Sequence, residues 1–235
     1  MNDRRNPFEI KWIVPSIIMV VSMWFVFWLE MRLHTDFTKF GLFPRTWSGL
    51  RGIMTSPFIH SGFSHLWSNT VPIAVLVFFL SLFYNKQSIR ILLYGLLLSG
   101  IFTWLIGRNS YHIGASGLIY MLASFIFFKG IFLNKYRQIA ASLIIVFLYG
   151  SLIWYVLPIE PSISWEGHTS GAIAGLILAA VIKVTIPQEQ HIANKEIQPN
   201  PEEEWFLQQF DEDGNFRPIQ IEEDSDSENL EEDLL

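Results

Sequence analysis

His112-Ile113-Gly114-Ala115-Ser116-Gly117-Leu118-Ile119-Tyr120 opens an apolar run that continues past Phe132. A run of this length crosses a bilayer core of about 30 Å, so the stretch sets a serine at the head of a membrane helix. Gly114 and Gly117 carry no side-chain bulk, which lets another backbone approach Ser116 closely. Tyr120 lies one turn on and shares the face of the serine. A second stretch, Gly167-His168-Thr169-Ser170-Gly171-Ala172-Ile173-Ala174-Gly175, opens another apolar run with a histidine. Gly171, Gly175 and Ala179 follow along one face at helical spacing, and this suits the His168 helix to close packing against the Gly114/Gly117 helix.

Apolar runs of about twenty residues recur outside these two stretches. With 51% hydrophobic and only 16% charged residues in 235, the chain reads as a polytopic membrane protein. Its 20 Phe and 9 Trp are expected to meet lipid or the membrane interface. The spans are Trp12 to about Glu30, Leu66 to Tyr84, Ile89 to Gly107, Ile113 to Leu133, about Gln138 to Leu157, and Gly167 to about Ile186. Pro158 and Pro161 end the fifth span and Pro187 closes the sixth. The first run lacks an A-x-A-like cleavage site and is read as a retained helix. Residues 31–64 form a long connection too polar to cross. Its Trp47 and phenylalanines place it partly among the headgroups.

The net charge of −6 conceals a segregation. Residues 187–235 hold 16 acids against Lys195 and Arg217, a local balance of −14, and the rest of the chain stands at +8. A positive membrane domain suits an anionic lipid surface, and an acidic tail poor in apolar periodicity is expected to be disordered. Asp211-Glu212-Asp213-Gly214-Asn215 faintly resembles a calcium loop but lacks the ligand spacing and the closing glutamate. Arg4, Arg5, Lys11, Lys86, Arg90, Lys129, Lys135 and Arg137, at the N-terminus and around the second–third and fourth–fifth turns, place both termini in the cytoplasm. Arg32, Lys39, Arg45 and Arg51 in the first loop run against that contrast. In this topology Ser116, His168, His65 and Asn69 all fall near the non-cytoplasmic ends of their helices. The chain divides into a cytoplasmic segment 1–11, a membrane domain 12–186 and a cytoplasmic tail 187–235.

Polar groups inside a bilayer are costly and mark candidate sites. Serine alone also occurs at plain helix contacts, where it bonds its own backbone. An imidazole in hydrocarbon needs a partner, and a serine hydroxyl at equal depth supplies one. Serine becomes a nucleophile only when a base within hydrogen-bond reach takes its proton. Attack on an amide then creates an oxyanion, for which each pre-aimed donor contributes about 2.7–4 kcal/mol. His65 and Asn69, four residues apart on one helical face, supply such donors, with the Ser116 N–H as a third. A zinc site would draw on His60, His65, His112 and His168, but there is no H-E-x-x-H and no intramembrane carboxylate placed as a base. The absence of cysteine removes disulfides and thiolate ligands. Glu166, at a helix start where water and the dipole would favour it, is read as structural.

Gly114-Ala115-Ser116-Gly117 with Tyr120, and Gly167-His168 followed by Gly171 and Gly175, resemble the signature of the rhomboid intramembrane serine proteases. His60, His65 and Asn69 are similar to the pattern of the family's second helix. The resemblance covers about residues 12–186. It implies an all-α six-transmembrane-helix bundle with Ser116 as nucleophile and His168 as base. It also implies an oxyanion hole of His65, Asn69 and the Ser116 amide, with Tyr120 against the His168 ring and a structural His60 bracing the first loop. No cofactor or metal is implied, and no nucleic-acid partner. The implied partners are the lipid bilayer and a transmembrane protein substrate with small residues at the cleavage site. The implied location is the plasma membrane of a bacterium. One departure is visible: the Trp-Arg pair of many bacterial members is missing from the first loop, and Leu50-Arg51-Gly52 stands near its place. Two rivals are a catalytically inactive rhomboid-like protein that binds membrane clients, and a small transporter. The transporter predicts polar residues through the full depth of several helices, whereas here they gather at one end.

Overall fold

A chain in hydrocarbon finds no water for its amides, so each apolar run must satisfy its backbone within itself, and the helix does so. The computed structural model describes residues 10–160, 163–184, 206, 208–211 and 213–217. Six long helices form the membrane unit: α1 (Val14–Leu33), α3 (Phe63–Tyr84), α4 (Ser88–Ile106), α5 (Ser116–Leu133), α6 (Tyr136–Tyr149) and α7 (Trp165–Val181). A single turn, α2 (Gly52–Thr55), lies in the first loop. Four stretches are long and apolar enough to cross a membrane: Val14–Leu33, Phe63–Ile106, Ser116–Leu133 and Tyr136–Val156. The second of these joins α3 and α4 through the 3-10 turn Asn85–Gln87. The fold is an all-α membrane bundle.

α5 is the central helix and packs against α7, α6, α3 and α4. Met121, Leu122, Phe125 and Ile126 on it are fully enclosed. The outer helices invert the soluble pattern. Ile17, Val21, Phe25 and Trp28 recur along one face of α1 and are exposed to what would be lipid. Glycines set the distance between α5 and α7. A β-carbon on Gly171 would lie 2.1 Å from the Gly117 carbonyl oxygen, and one on Gly175 would lie 2.3 Å from that of Met121. Only glycine lets the two backbones meet at that range.

The spans differ from the sequence expectation at their ends. The fifth helix leaves α geometry at Gly150 and continues as a 3-10 segment, Gly150–Val156. The sixth begins at Trp165, where Ser164 accepts the Gly167 N–H as a cap, and its α-helix ends at Val181 rather than near Ile186. At that end the Lys129 ammonium donates to the carbonyls of Ala179 and Ile182 (2.9 and 2.6 Å), satisfying groups the last turn leaves open.

The first loop is tied to the bundle without the Trp-Arg pair. Arg45 adopts φ +56° and donates to the carbonyls of Leu105 and Gly107 and to Asn109 Oδ1. The Trp104 indole N–H donates to the Thr46 carbonyl at 2.9 Å. Leu42 and His112 exchange backbone hydrogen bonds of 3.0 and 2.8 Å. The start of the chain and most of the acidic tail lie outside the described residues. Within the separate unit 187–235, Asp211 Oδ1 accepts the N–H groups of Asp213 and Asn215, and its Oδ2 pairs with Arg217 at 3.2 Å. Glu212 is outside the described residues.

Gly171→Ala should push α5 from α7 and lower the thermal midpoint in detergent by about 5 °C. That follows from an overpacking penalty of about 1–3 kcal/mol and about 2–4 °C per kcal/mol for a chain of this size. Gly62→Ala, where a β-carbon meets nothing within 4 Å, should leave the midpoint unchanged.

Candidate active site

A cavity of about 860 Å3 brings together His65, Asn69, Ser116, Tyr120 and His168. Ser116 is the first residue of α5. The residue two before it, Gly114, holds φ +98°, and a β-carbon there would lie 2.6 Å from His65 Nε2. One glycine thus both allows the left-handed turn into α5 and leaves room for the His65 ring. Amides of the first helical turn have no intrahelical acceptor and sit at the positive end of the dipole, so the serine heads an anion-favouring terminus.

The His168 ring lies flat on Tyr120, with centroids 4.2 Å apart and planes within 10°. Tyr120 is fixed by its hydroxyl, which donates to the Leu152 carbonyl at 2.7 Å. His168 Nδ1 stands 2.9 Å from the Tyr155 carbonyl. A carbonyl only accepts, so Nδ1 carries the hydrogen and Nε2 is the lone-pair nitrogen of the neutral ring. Thr169 donates in the same way to the Val156 carbonyl. The 3-10 segment Gly150–Val156 therefore orients the His168 ring and its neighbour through main-chain carbonyls.

On α3, Asn69 donates from Nδ2 to the His65 carbonyl at 2.8 Å, which leaves its second N–H without a protein acceptor. Its Oδ1 is buried without a protein partner. His65 Nδ1 meets Ser61 Oγ at 3.2 Å, and the ring stands edge-on to His60. Pro72 has no N–H for the carbonyl of Ser68 one turn earlier, so this acceptor stays open where Ser68 lines the cavity. His60 is 2% exposed, and its Nδ1 donates to the Phe58 carbonyl at 3.3 Å. Burial, with a smaller contribution from charge on His65, lowers the His60 pKa to about 4.

Sequence reasoning missed a polar latch beside these residues. His112 Nε2 donates to the Arg108 carbonyl at 3.2 Å, so its Nδ1 accepts from Ser164 Oγ at 2.5 Å. Ser164 in turn caps α7, and burial lowers the His112 pKa. Glu166, at a helix start where water would favour it, is instead 3% exposed. Its Oε1 lies 3.5 Å from Arg108 Nε, and Oε2 is buried without a partner. Arg108 also donates to the Ile163 carbonyl. The physical reason is topological: the α4–α5 loop folds over the start of α7 and closes it from solvent. Only its composition, Arg108 and His112 in an otherwise polar turn, hinted at this. Among the described residues no three His, Cys, Asp or Glu side chains are grouped as a metal ion would need.

A family model described as the Rhomboid domain matches residues 46–184, and the chain belongs to the rhomboid family. It is similar to an uncharacterized protein of Mycobacterium tuberculosis (Rv1337). The identity is 29% over 184 residues, which cover 73% of this chain and 77% of that one. An uncharacterized protein of Mycobacterium leprae (ML1171) is 28% identical over 200 residues, 80% of this chain and 78% of its own.

Two outcomes follow from the buried groups. Because the unfolded chain protonates His60 near 6.5 and the folded protein only near 4, the stability it contributes is full above about pH 6.5 and is lost as pH falls toward about 4. Unfolding midpoints in detergent at pH 4.5 and 7 should differ less in His60→Gln than in wild type. Arg108→Ala strands the Glu166 carboxylate. Its destabilisation should lie at or below the lower end of the about 3–5 kcal/mol typical of a broken buried pair, because the Arg108 side chain is 38% exposed. Adding Glu166→Gln should restore part of that loss in the same unfolding assay.

Proposed function

We propose that this rhomboid-family chain is an intramembrane serine endopeptidase that hydrolyses a peptide bond in or near a transmembrane segment of another membrane protein. The observation that carries the reading is the fixed tautomer of His168. With Nδ1–H committed to the Tyr155 carbonyl, Nε2 is the basic nitrogen of a ring that lines one cavity with Ser116. In the reaction Nε2 takes the hydroxyl proton as Ser116 Oγ bonds to the substrate carbonyl carbon. The imidazolium then protonates the leaving amine as the C–N bond breaks. Water attacks the acyl-enzyme, gives its proton to His168 and releases the carboxylate product, and the proton returns to Ser116 Oγ.

His65, the second Asn69 N–H and the Ser116 amide are the donors we assign to the oxyanion. Tyr120 positions the base, His60 braces the entry to α3, and Gly114, Gly117, Gly171 and Gly175 give the backbones their approach. No cofactor or metal enters this chemistry. Basic residues at the turn end of the bundle favour both termini in the cytoplasm. In that topology the cavity opens on the far side of a bacterial plasma membrane.

Purified protein in lipid should cleave a model transmembrane substrate, and Ser116→Ala and His168→Ala should each lower the rate by at least about 10⁴-fold. Asn69→Ala should retain folding and lose about 10²–10³-fold in kcat. Equal cutting by wild type and both dyad variants would sink the assignment. Labelling of Ser116 by a fluorophosphonate checks the nucleophile without any substrate. If a folded wild type neither cleaves nor labels, the client-binding alternative stands in its place.

A further inference from the structure

The first loop carries four basic residues and one acid, Asp36, on the face that the proposed topology turns away from the cytoplasm. Positive charge there runs against insertion, so each such residue calls for a structural or binding role. Arg45 has one, as the cap of α4. Lys39 and Arg51 make only local contacts within the loop. They line a second cavity, of about 240 Å3, together with Phe43, Thr46, Ser48 and Tyr111. Both cations lie against the Phe40 ring, Lys39 Nζ at 5.6 Å and the Arg51 guanidinium at 5.0 Å from its centroid. Arg51 is held there by a 2.9 Å hydrogen bond to the Lys39 carbonyl.

Neither cation has a carboxylate within ion-pair distance among the described residues. The nearby acids are engaged elsewhere. Asp36 accepts the Thr38 N–H and feels Lys39 only at longer range, and Glu30 accepts the Phe37 N–H. Two cations converge on one small cavity whose lining also includes Ser48 and Tyr111. That is the chemistry of a phosphate oxyanion. The surroundings say where the phosphate comes from. Trp47 beside the cavity is 87% exposed, and Phe40 and Met54 are exposed on the same loop, as at a headgroup boundary.

We propose that Lys39 and Arg51 bind the phosphodiester of an anionic glycerophospholipid in the leaflet that surrounds the first loop. The site shares Tyr111 with the wall of the larger cavity, so the lipid would sit next to the candidate active site. The inference does not rest on the protease reading, because it is tested by binding rather than by cleavage.

The test is native mass spectrometry of the full chain released from micelles doped with phosphatidylglycerol or phosphatidylcholine. Wild type should retain phosphatidylglycerol over phosphatidylcholine, with an advantage of about fivefold for each cation. Lys39→Gln/Arg51→Gln should retain the two lipids equally. Lys86→Gln/Arg90→Gln, which removes the same charge at the α3–α4 turn, should keep the preference. Lys39→Gln alone guards against misfolding, since its side chain makes no hydrogen bond, and it should lose about fivefold. Equal retention of both lipids by wild type, or an undiminished preference in the loop variants, would overturn the site. Displacement of phosphatidylglycerol by inorganic phosphate at comparable concentration would overturn the lipid assignment in favour of a free anion.

Discussion

α5 and α7 meet main chain against main chain: Gly171 against the Gly117 carbonyl and Gly175 against that of Met121. The placement of Ser116 against His168 depends on it. Ser116 sits one residue before Gly117, and His168 one helical turn before Gly171. Separation of α5 and α7 by the width of a methyl group would move the serine and the ring apart together. In lipid no hydrophobic force draws helices together, so fit at this seam is what van der Waals contact can stabilise. Polar latches close the seam at both ends. Ser164 and His112 hold the start of α7, and Lys129 holds its last carbonyls. Lys129 counts among the orienting charges in the sequence. In the structure its ammonium is a cap, buried on two main-chain acceptors.

The site is assembled from three helices with different duties. α5 presents the serine at its positive terminus, α7 presents the imidazole, and α3 presents the His65 and Asn69 pair. The loops decide how these ends meet. The α4–α5 loop covers α7 through Arg108 and Glu166, while the first loop is strapped to the same region by the Leu42–His112 exchange and by Arg45. Arg45 anchors the first loop to the end of α4.

Much of this was legible in the sequence because it rests on local signals. Apolar run length gives the spans, and four-residue spacing puts Gly171 with Gly175 and His65 with Asn69 on shared faces. What was not legible depends on partners distant in the chain. Nothing around Glu166 announces that Arg108 will cover it. Arg45 reads as one more loop charge until the end of α4 is brought beside it. The change from α to 3-10 geometry at Gly150 has no proline to mark it before Pro158. Yet that change aims the carbonyls of Leu152, Tyr155 and Val156 at Tyr120, His168 and Thr169.

The orienting partner of His168 is a peptide carbonyl, and this has a genetic consequence. A histidine held by a side-chain carboxylate loses its partner to one codon change. Here every amino acid at position 155 supplies the same oxygen, so substitution there cannot delete the acceptor. The orientation of the ring is insulated from point mutation and remains open to any displacement of the segment that carries the carbonyl. A survey of side chains would record position 155 as silent, although its main chain fixes which nitrogen of the His168 ring is free.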